Sequence, residues 1–264
     1  MNFSFDNCWV LIAAAGSGSR MQSSTPKQYL PLAGKPVLQH GLERFLSWSG
    51  RLQIALVTRP DSPELADIGA TRSDRVHIVE GGATRAESVL SGLQFIANNV
   101  SNNAAAETAV LIHDAARPLV RKTDVQQLLE MTSAERREGR AVGGILATPA
   151  TDTIKLAENS NPGQAGGQLI MQTMDRERLW QARTPQLFLL EELLQAMTST
   201  KSGDSNLKAG GAVAVTDEAS AMEQAGHRVL MVKCHSDNIK ITRAEDLLLA
   251  EALLQLQSDE GGSA

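Results

Sequence analysis

The chain has 264 residues, 42% hydrophobic and 21% charged, enough apolar mass for the core of one large domain. Its 25 lysines and arginines against 30 aspartates and glutamates give a net charge of −5, so no global positive field draws in a polyanion. Aromatic residues at 3% disfavour base-stacking platforms for nucleic acid, and two distant cysteines, Cys8 and Cys234, argue against a disulfide framework or a thiolate metal site.

The apolar run "CWVLIAAA" over 8–15 predicts a first strand. No basic leader precedes it and no apolar stretch reaches the length of a membrane span, so a cytoplasmic protein is expected. The run stops at Gly16-Ser17-Gly18, and the loop that follows carries Arg20, Lys27 and Lys35. Glycines at this point let several backbone N–H groups gather round an anion. The dinucleotide fingerprint is excluded because Met21 occupies its third glycine position, and the Walker pattern is absent. A glycine turn with Arg20 and Lys27 suits the phosphates of a nucleoside triphosphate. The same residues would also make a plain strand-to-helix turn with solvated cations.

Helical spacing over 36–48 leads to a strand at 52–58, helical spacing over 63–69 and a strand at 76–79. In "EGGATRAESVLSGL" (80–93), Gly81-Gly82 precede a helix over 84–97 whose Thr84 and Glu87 fit a capping box. Arg85 and Ser88 at that helix start are candidates for reading a base edge. The strand "AVLIHD" (109–114) runs into His113 and Asp114. Ligands of open α/β sheets sit beyond the carboxyl ends of the strands, which places Asp114 on the same edge as Gly16. A carboxylate against triphosphate oxygens calls for a divalent cation, Mg²⁺; a turn-capping aspartate is the structural alternative. His113 reads as a packed strand residue, and His40, His77, His227 and His235 are too scattered for a transition-metal site.

Helical spacing over 123–137 and a strand at 141–147 continue the rhythm, which then breaks. "TDTIKLA" (151–157) and "QLIMQT" (168–173) alternate apolar and polar residues about a turn composition, with Ile154, Leu156, Leu169 and Met171 to one side. An isolated hairpin is marginal in water, so a second subunit is the expected cover. In "VTDEASAME" (215–223), Thr216 reads as an N-cap with Asp217 and Glu218 favouring the helix dipole. A strand at 228–233 follows. Lys240 then precedes a second capping box, Thr242 with Glu245, as an exposed strand lysine or a ligand cation. Apolar strands alternating with helices predict an α/β fold, a mostly parallel sheet with helices on both faces. The expected organisation is a single domain over 6–258, an arm over about 148–175 and a frayed tail at 259–264.

The ordered set "AAAGSGSRM", "PKQYLPLAGKP", "GGATRAESV", "HDAARP", "DRERLWQARTPQLF", "TDEAS" and "DNIKITRAEDL" closely resembles the methylerythritol phosphate cytidylyltransferase family over nearly the whole chain. The resemblance implies a Rossmann-like nucleotidyltransferase fold, a homodimer joined by a protruding two-stranded β-arm, and Mg²⁺. It implies a reaction of CTP with 2-C-methyl-D-erythritol 4-phosphate that gives the CDP-polyol and pyrophosphate. Another polyol phosphate acceptor, such as ribitol 5-phosphate, is the alternative. By motif, Ala14, Ala15, Gly16, Gly18 and Ala115 would line the nucleotide pocket, Gly82 and Ser88 would read cytosine, and Arg20, Lys27 and Lys240 would be catalytic. Asp114 would sit near the metal and substrate, and Arg117, Thr184, Thr216 and Lys240 would bind the methylerythritol phosphate. Thr153 and Arg176 on the arm would reach the partner subunit's site. Ala83 departs from the polar or acidic residue that often follows the glycine pair.

Overall fold

The computed structural model of the chain describes residues 2–16, 25–59, 61–101, 105–158, 167–201 and 215–261. Strand β1 (Cys8–Ala13) lies in a sheet with β4 (Gln53–Thr58), β5 (Val76–Glu80), β6 (Ala109–Asp114), β7 (Gly143–Pro149), β10 (Trp180–Leu189) and β11 (Val229–Lys233). The order across it is β11-β7-β10-β6-β1-β4-β5. All neighbours pair in parallel except β10, which runs antiparallel to β6 and to β7. The expected mostly parallel sheet is therefore present, with one reversed strand inside it.

The continuously apolar strands are buried on both faces because side chains alternate across the sheet. Val10, Ile12, Ile54, Leu56 and Leu111 face one way and join Leu38, Leu42 and Phe45 of helix α1 (Val37–Trp48) and Val125, Leu128 and Leu129 of helix α3 (Lys122–Arg137). Leu11, Ala55, Val57, Val110 and Ile112 face the other way. They meet helices α2 (Arg85–Asn99), α4 (Leu190–Lys201) and α5 (Glu218–Gln224) through Leu93, Leu193 and Met222. Helix α6 (Glu245–Gly261) closes a smaller cluster with Leu32, Val37, Leu119 and Ile241. Among the described residues no helix is long and apolar enough to cross a membrane.

Local chemistry sets the element ends, and it corrects three expectations. The capping box of α2 is as expected: Thr84 Oγ1 accepts from Glu87 N at 3.1 Å while Thr84 N donates to Glu87 Oε2 at 3.0 Å. Thr216, however, is not the cap of α5; Asp217 is, with its Oδ1 accepting from Ser220 N at 3.0 Å. The second predicted box also shifts by one residue, since Thr242 N and Oγ1 both donate to Asp246, at 2.7 and 2.8 Å, rather than to Glu245. Residues 63–69 form no α-helix. They make short 3-10 turns, Pro63–Asp67 and Gly69–Arg72, because Pro63 starts the segment and Gly69 interrupts it before an α-helix can propagate.

The ribbon is present as strands β8 (Lys155–Ala157) and β9 (Ile170–Thr173), an antiparallel pair apart from the main sheet, as is the tiny hairpin of β2 (Pro31–Leu32) and β3 (Lys35–Pro36). Its register pairs Leu156 with Gln172 and shifts before Ala157 pairs with Ile170, so Met171 falls at the irregularity rather than opposite Leu156. Leu169, Ile170 and Met171 are all exposed. The turn over 159–166 lies outside the described residues.

Where β7 passes β10, Gly143 leaves no room for a side chain: a Cβ there would strike the Phe188 ring and stand 2.6 Å from the carbonyl oxygen of Leu187. Because a backbone atom blocks the relief, Gly143→Ala is expected to destabilise the fold by about 1–3 kcal/mol. Gly50→Ala, with nothing within 4 Å, should leave the urea midpoint unchanged. Equal midpoints for the two variants would show that β7 and β10 are less tightly packed than described.

Candidate active site

The chain runs β1, β4, β5 to one side and then returns to β6 on the other side of β1. That reversal is a topological switch point, where loops diverge beyond the carboxyl ends of the strands and leave a crevice. The ends are in register, Ala13 beside Asp114, and the loops are tied by Ala14 N to Val57 O at 2.7 Å and Ala115 N to Ala13 O at 3.3 Å. A cleft of about 440 Å³ opens there, lined by Ala14, Ala15, Gly16, Lys27, Gly82, Ser88, Asp114, Ala115 and Lys240 among others. Gly18 and Arg20 lie outside the described residues.

Three local devices shape the walls. Gln28 is buried, and its Nε2 donates to Ala14 O at 2.7 Å and Gly16 O at 3.1 Å, holding the loop after β1 open. The 3-10 turn Lys27–Tyr29 is anchored by Tyr29, whose hydroxyl lies 2.9 Å from Thr58 Oγ1, so Lys27 is held at the cleft edge. Gly81 brings the turn after β5 against this loop: a Cβ there would come within 2.6 Å of Ala15 Cβ. Ser88 Oγ donates to Thr84 O at 2.9 Å and to Gly82 O at 3.3 Å, which binds the second glycine to the helix start.

Charge concentrates on Asp114. Its Oδ2 accepts from Lys240 Nζ at 2.7 Å and lies 3.8 Å from Arg117 Nε, while Oδ1 accepts from Arg85 Nε and Nη2 at 3.3 and 3.2 Å. Burial by itself would raise the pKa of this carboxyl, but Arg85 first, then Lys240 and Arg117, hold it well below the usual carboxylate range. Arg85 also reaches the buried Glu218, with Nη1 to Oε1 at 2.7 Å. Arg85 is thus committed to two carboxylates rather than aimed at a base edge, which revises one expectation of the sequence. Burial pushes Arg117 down to about 10, with Asp114 opposing that shift. Its Nη1 donates to Asn238 O at 2.8 Å, and its Nε has no hydrogen-bond partner among the described residues.

A second depression adjoins the first and shares Arg85, Asp114 and Lys240 with it; Arg117, Arg183, Thr184 and Thr216 complete its wall. The pairing of β7 with β10 shifts between Ala182 and Gln186, and this irregularity turns Thr184 toward β6, where its Oγ1 accepts from Asp114 N at 3.1 Å. Thr153 and Arg176 lie outside both depressions, on the ribbon segment; both are exposed, and Arg176 Nη1 donates to Thr151 O at 2.9 Å. Cys8 and Cys234 are free and buried, with burial raising their thiols to about 12 and about 11, so neither is a ready nucleophile. Among the described residues no group of three histidine, cysteine, aspartate or glutamate side chains is placed to hold a metal ion by itself. Sequence reasoning missed Gln28, Arg183 and the role of Glu218 as a buried charge partner.

The family model described as IspD: 2-C-methyl-D-erythritol 4-phosphate cytidylyltransferase matches residues 8–256. The protein of that name from Haemophilus influenzae (strain PittEE) is 42% identical over 244 residues, covering 92% of this chain and 95% of the relative. That from Vibrio vulnificus (strain YJ016) is 41% identical over 249 residues, covering 94% and 95%. The crystal structure of the Francisella tularensis protein superposes with a TM-score of 0.71 at 32% identity, over 94% of this chain and 99% of the other.

His113 supports this edge from below. It is fully buried, its Nε2 2.9 Å from Arg117 O and its Nδ1 3.1 Å from Thr184 Oγ1. A carbonyl only accepts, so Nε2 carries the proton and Nδ1 accepts from the threonine hydroxyl. Burial lowers its pKa to about 4. The unfolded chain therefore binds the extra proton first as pH falls, and the stability His113 contributes is complete above about 6.5 and lost by about 4. Urea titrations between pH 7.5 and 4 are expected to lose a few kcal/mol through this window, and His113→Phe should remove that part of the slope. An unchanged slope in the variant would show that the histidine is not held neutral.

Proposed function

The chain belongs to the 2-C-methyl-D-erythritol 4-phosphate cytidylyltransferase family, and from that premise we propose that it joins CTP to 2-C-methyl-D-erythritol 4-phosphate. The products are 4-diphosphocytidyl-2-C-methyl-D-erythritol and pyrophosphate, a nucleotidyl transfer of isoprenoid biosynthesis. Its relatives bear the name of this acceptor, which disfavours the ribitol 5-phosphate alternative. The observation that carries the reading is the switch-point cleft, in which Lys27 and Lys240 stand on the same side as an ionised Asp114.

The donor half is the deeper cleft. Main chain of Ala14, Ala15, Gly16 and Ala115 offers close approach to the nucleotide, Gly82 with Ser88 borders the base, and Lys27 holds the triphosphate, with Gly18 and Arg20 completing the loop by the family pattern. The acceptor half is the adjoining depression. There Arg117, whose buried Nε has no hydrogen-bond partner among the described residues, stands with Thr184, Thr216 and Lys240, a cationic and hydroxyl-bearing wall that suits the phosphate of methylerythritol phosphate. A phosphate monoester is already anionic at neutral pH, so its oxygen attacks the α-phosphorus without a general base. One P–O bond forms to the acceptor, the bond from the α-phosphorus to the bridging oxygen breaks, and that oxygen leaves with pyrophosphate. The residues supply positioning and fixed positive charge for the electrons gathering on the phosphoryl oxygens.

Asp114 fits a share in Mg²⁺: it is ionised, offers hard oxygens to the cleft, and one or two carboxylates plus substrate phosphates make up a usual site for this ion. Bound there, the cation would supply positive charge that offsets the charge of the substrate phosphates. The exposed apolar strip of Leu169, Ile170 and Met171 favours a homodimer through the ribbon, with Thr153 and Arg176 reaching the partner's acceptor half. A nucleoside triphosphate substrate accords with a cytoplasmic enzyme and calls for no nucleic acid or membrane.

Purified protein with Mg²⁺ and methylerythritol phosphate is expected to release pyrophosphate with CTP and far less with ATP, GTP or UTP. Lys27→Ala should lower kcat by about 10²–10³ with the thermal transition unchanged, the loss typical of one fixed contact to developing charge. Wild-type silence with CTP would reject the reaction, and near-normal turnover of the variant would reject the lysine's role. Arg176→Ala is expected to be impaired alone yet to regain activity when mixed with Lys27→Ala protein, because one of the two sites in each heterodimer then keeps both residues. Absence of rescue after confirmed subunit exchange would reject the shared site.

A further inference from the structure

Arg85 and Glu218 come from the first turns of α2 and α5 and meet beside Asp114. The guanidinium is shared between two carboxylates. Nη1 and Nη2 donate to Glu218 at 2.7 and 3.1 Å, and Nε and Nη2 donate to Asp114 Oδ1 at 3.3 and 3.2 Å. Glu218 is only 1% exposed, so water cannot replace Arg85 as its partner. Burial acts to raise the glutamate's pKa against the pull of Arg85, which makes its ionised form dependent on that guanidinium.

Lys240 stands differently. Its side chain is 36% exposed, and it holds Asp114 through Oδ2 alone. An incoming phosphate can therefore draw Lys240 away, and Asp114 then keeps hydrogen bonds from Arg85 at Oδ1 alone, with Arg117 Nε 3.8 Å from Oδ2. An arginine with no other tie would be drawn to the phosphate as well. Arg85 is not free to follow, since leaving would strand the buried Glu218.

We infer that Glu218 is a positioning residue for the transfer reaction: through Arg85 it keeps the Asp114 carboxylate fixed in the cleft while Lys240 and bound phosphates exchange partners. The assignment rests on the transferase reading for its consequence in turnover, and on the ion-pair geometry for the coupling itself. Glu218 touches neither substrate, so its loss is expected in kcat rather than in KM.

The test uses four full-length proteins: wild type, Glu218→Gln, Asp114→Asn and the double variant. With CTP and methylerythritol phosphate, Glu218→Gln is expected to lower kcat by roughly tenfold to a hundredfold, within the range of coupling between contacting residues, with KM for CTP unchanged. In the Asp114→Asn background, read by single turnover at high enzyme concentration, the same substitution should change the rate less than about twofold. An unaltered kcat for Glu218→Gln, or an equal loss in both backgrounds, overturns the assignment. Urea denaturation of the same four proteins reads the coupling without turnover, and strictly additive midpoints would also overturn it. Intact coupling with no pyrophosphate from the wild type would instead sink the transferase reading alone. If Glu218→Gln does not fold, Arg85→Lys, which keeps the charge but loses the planar fork, replaces it in every arm with the same expectations.

Discussion

A buried carboxylate at the end of a central strand sets the terms for the rest of this structure. Asp114 is only 8% exposed and sits where β6 leaves the sheet, a place from which an unpaired charge would be expelled or protonated. It is kept ionised by cations drawn from three separate places: Arg85 at the start of α2, Arg117 in the turn that follows it, and Lys240 after β11. Arg85 and Lys240 come within hydrogen-bonding reach, and Arg117 within 3.8 Å, only because the sheet has its order and the loops their lengths. Breaking one partner out of such a buried set commonly costs about 3–5 kcal/mol. The partly exposed Lys240 is worth less than that because water screens it.

The same arrangement makes the edge receptive to anions even though the whole chain is negative. Arg85, Arg117 and Lys240 surround Asp114, and Lys27, Arg59 and Arg183 share the walls, against Glu218 and Asp217 on the acidic side, which leaves an excess of positive charge within a cavity rather than over a surface. The Nε of Arg117, buried, 3.8 Å from Asp114 Oδ2 and without a hydrogen-bond partner among the described residues, is a donor already desolvated. Local fields of this kind are less weakened by salt than those of exposed charges.

Much of the architecture was legible in the sequence. Continuous apolar runs such as "AVLIHD" predict a strand covered on both faces, and β6 is buried along its length. Asp114 and Gly16 were placed on one edge by the strand-end rule alone, and they line one cleft. What was not legible depends on partners distant in sequence. Glu218 reads as a first-turn acid favourable to the helix dipole, and nothing near it announces Arg85, 133 residues away. Arg85 reads as a base-reading candidate because it stands at a helix start after a glycine pair; its commitment appears only when the first turns of α2 and α5 meet through Glu218. Thr216 was displaced as the cap by Asp217 because both are good caps, and the choice is made by Gln186, which donates to Asp217 Oδ2 at 2.8 Å from β10. Gln28 gave no signal at all, since a buried glutamine that staples a loop looks in sequence like any surface glutamine.

The division of the site follows from the division of the sheet. The larger cleft is walled by loops after β1 and β5, and much of that wall is backbone or small residues: Ala14, Ala15, Gly16, Gly82 and Ala83. Such a wall tolerates little change, because Gly81 already meets Ala15 at a distance that excludes a further carbon. The other side is walled from the turn after β6, from β10 and from the loop before α5, through side chains of Arg117, Arg183, Thr184 and Thr216. Arg85, Asp114 and Lys240 are common to both walls. Substitutions in the side-chain wall can therefore reshape the smaller depression while leaving the backbone wall in place, so long as the shared charges stay put. The Arg85–Glu218 pair holds the shared carboxylate where the two walls join, so a change in either member reaches both depressions.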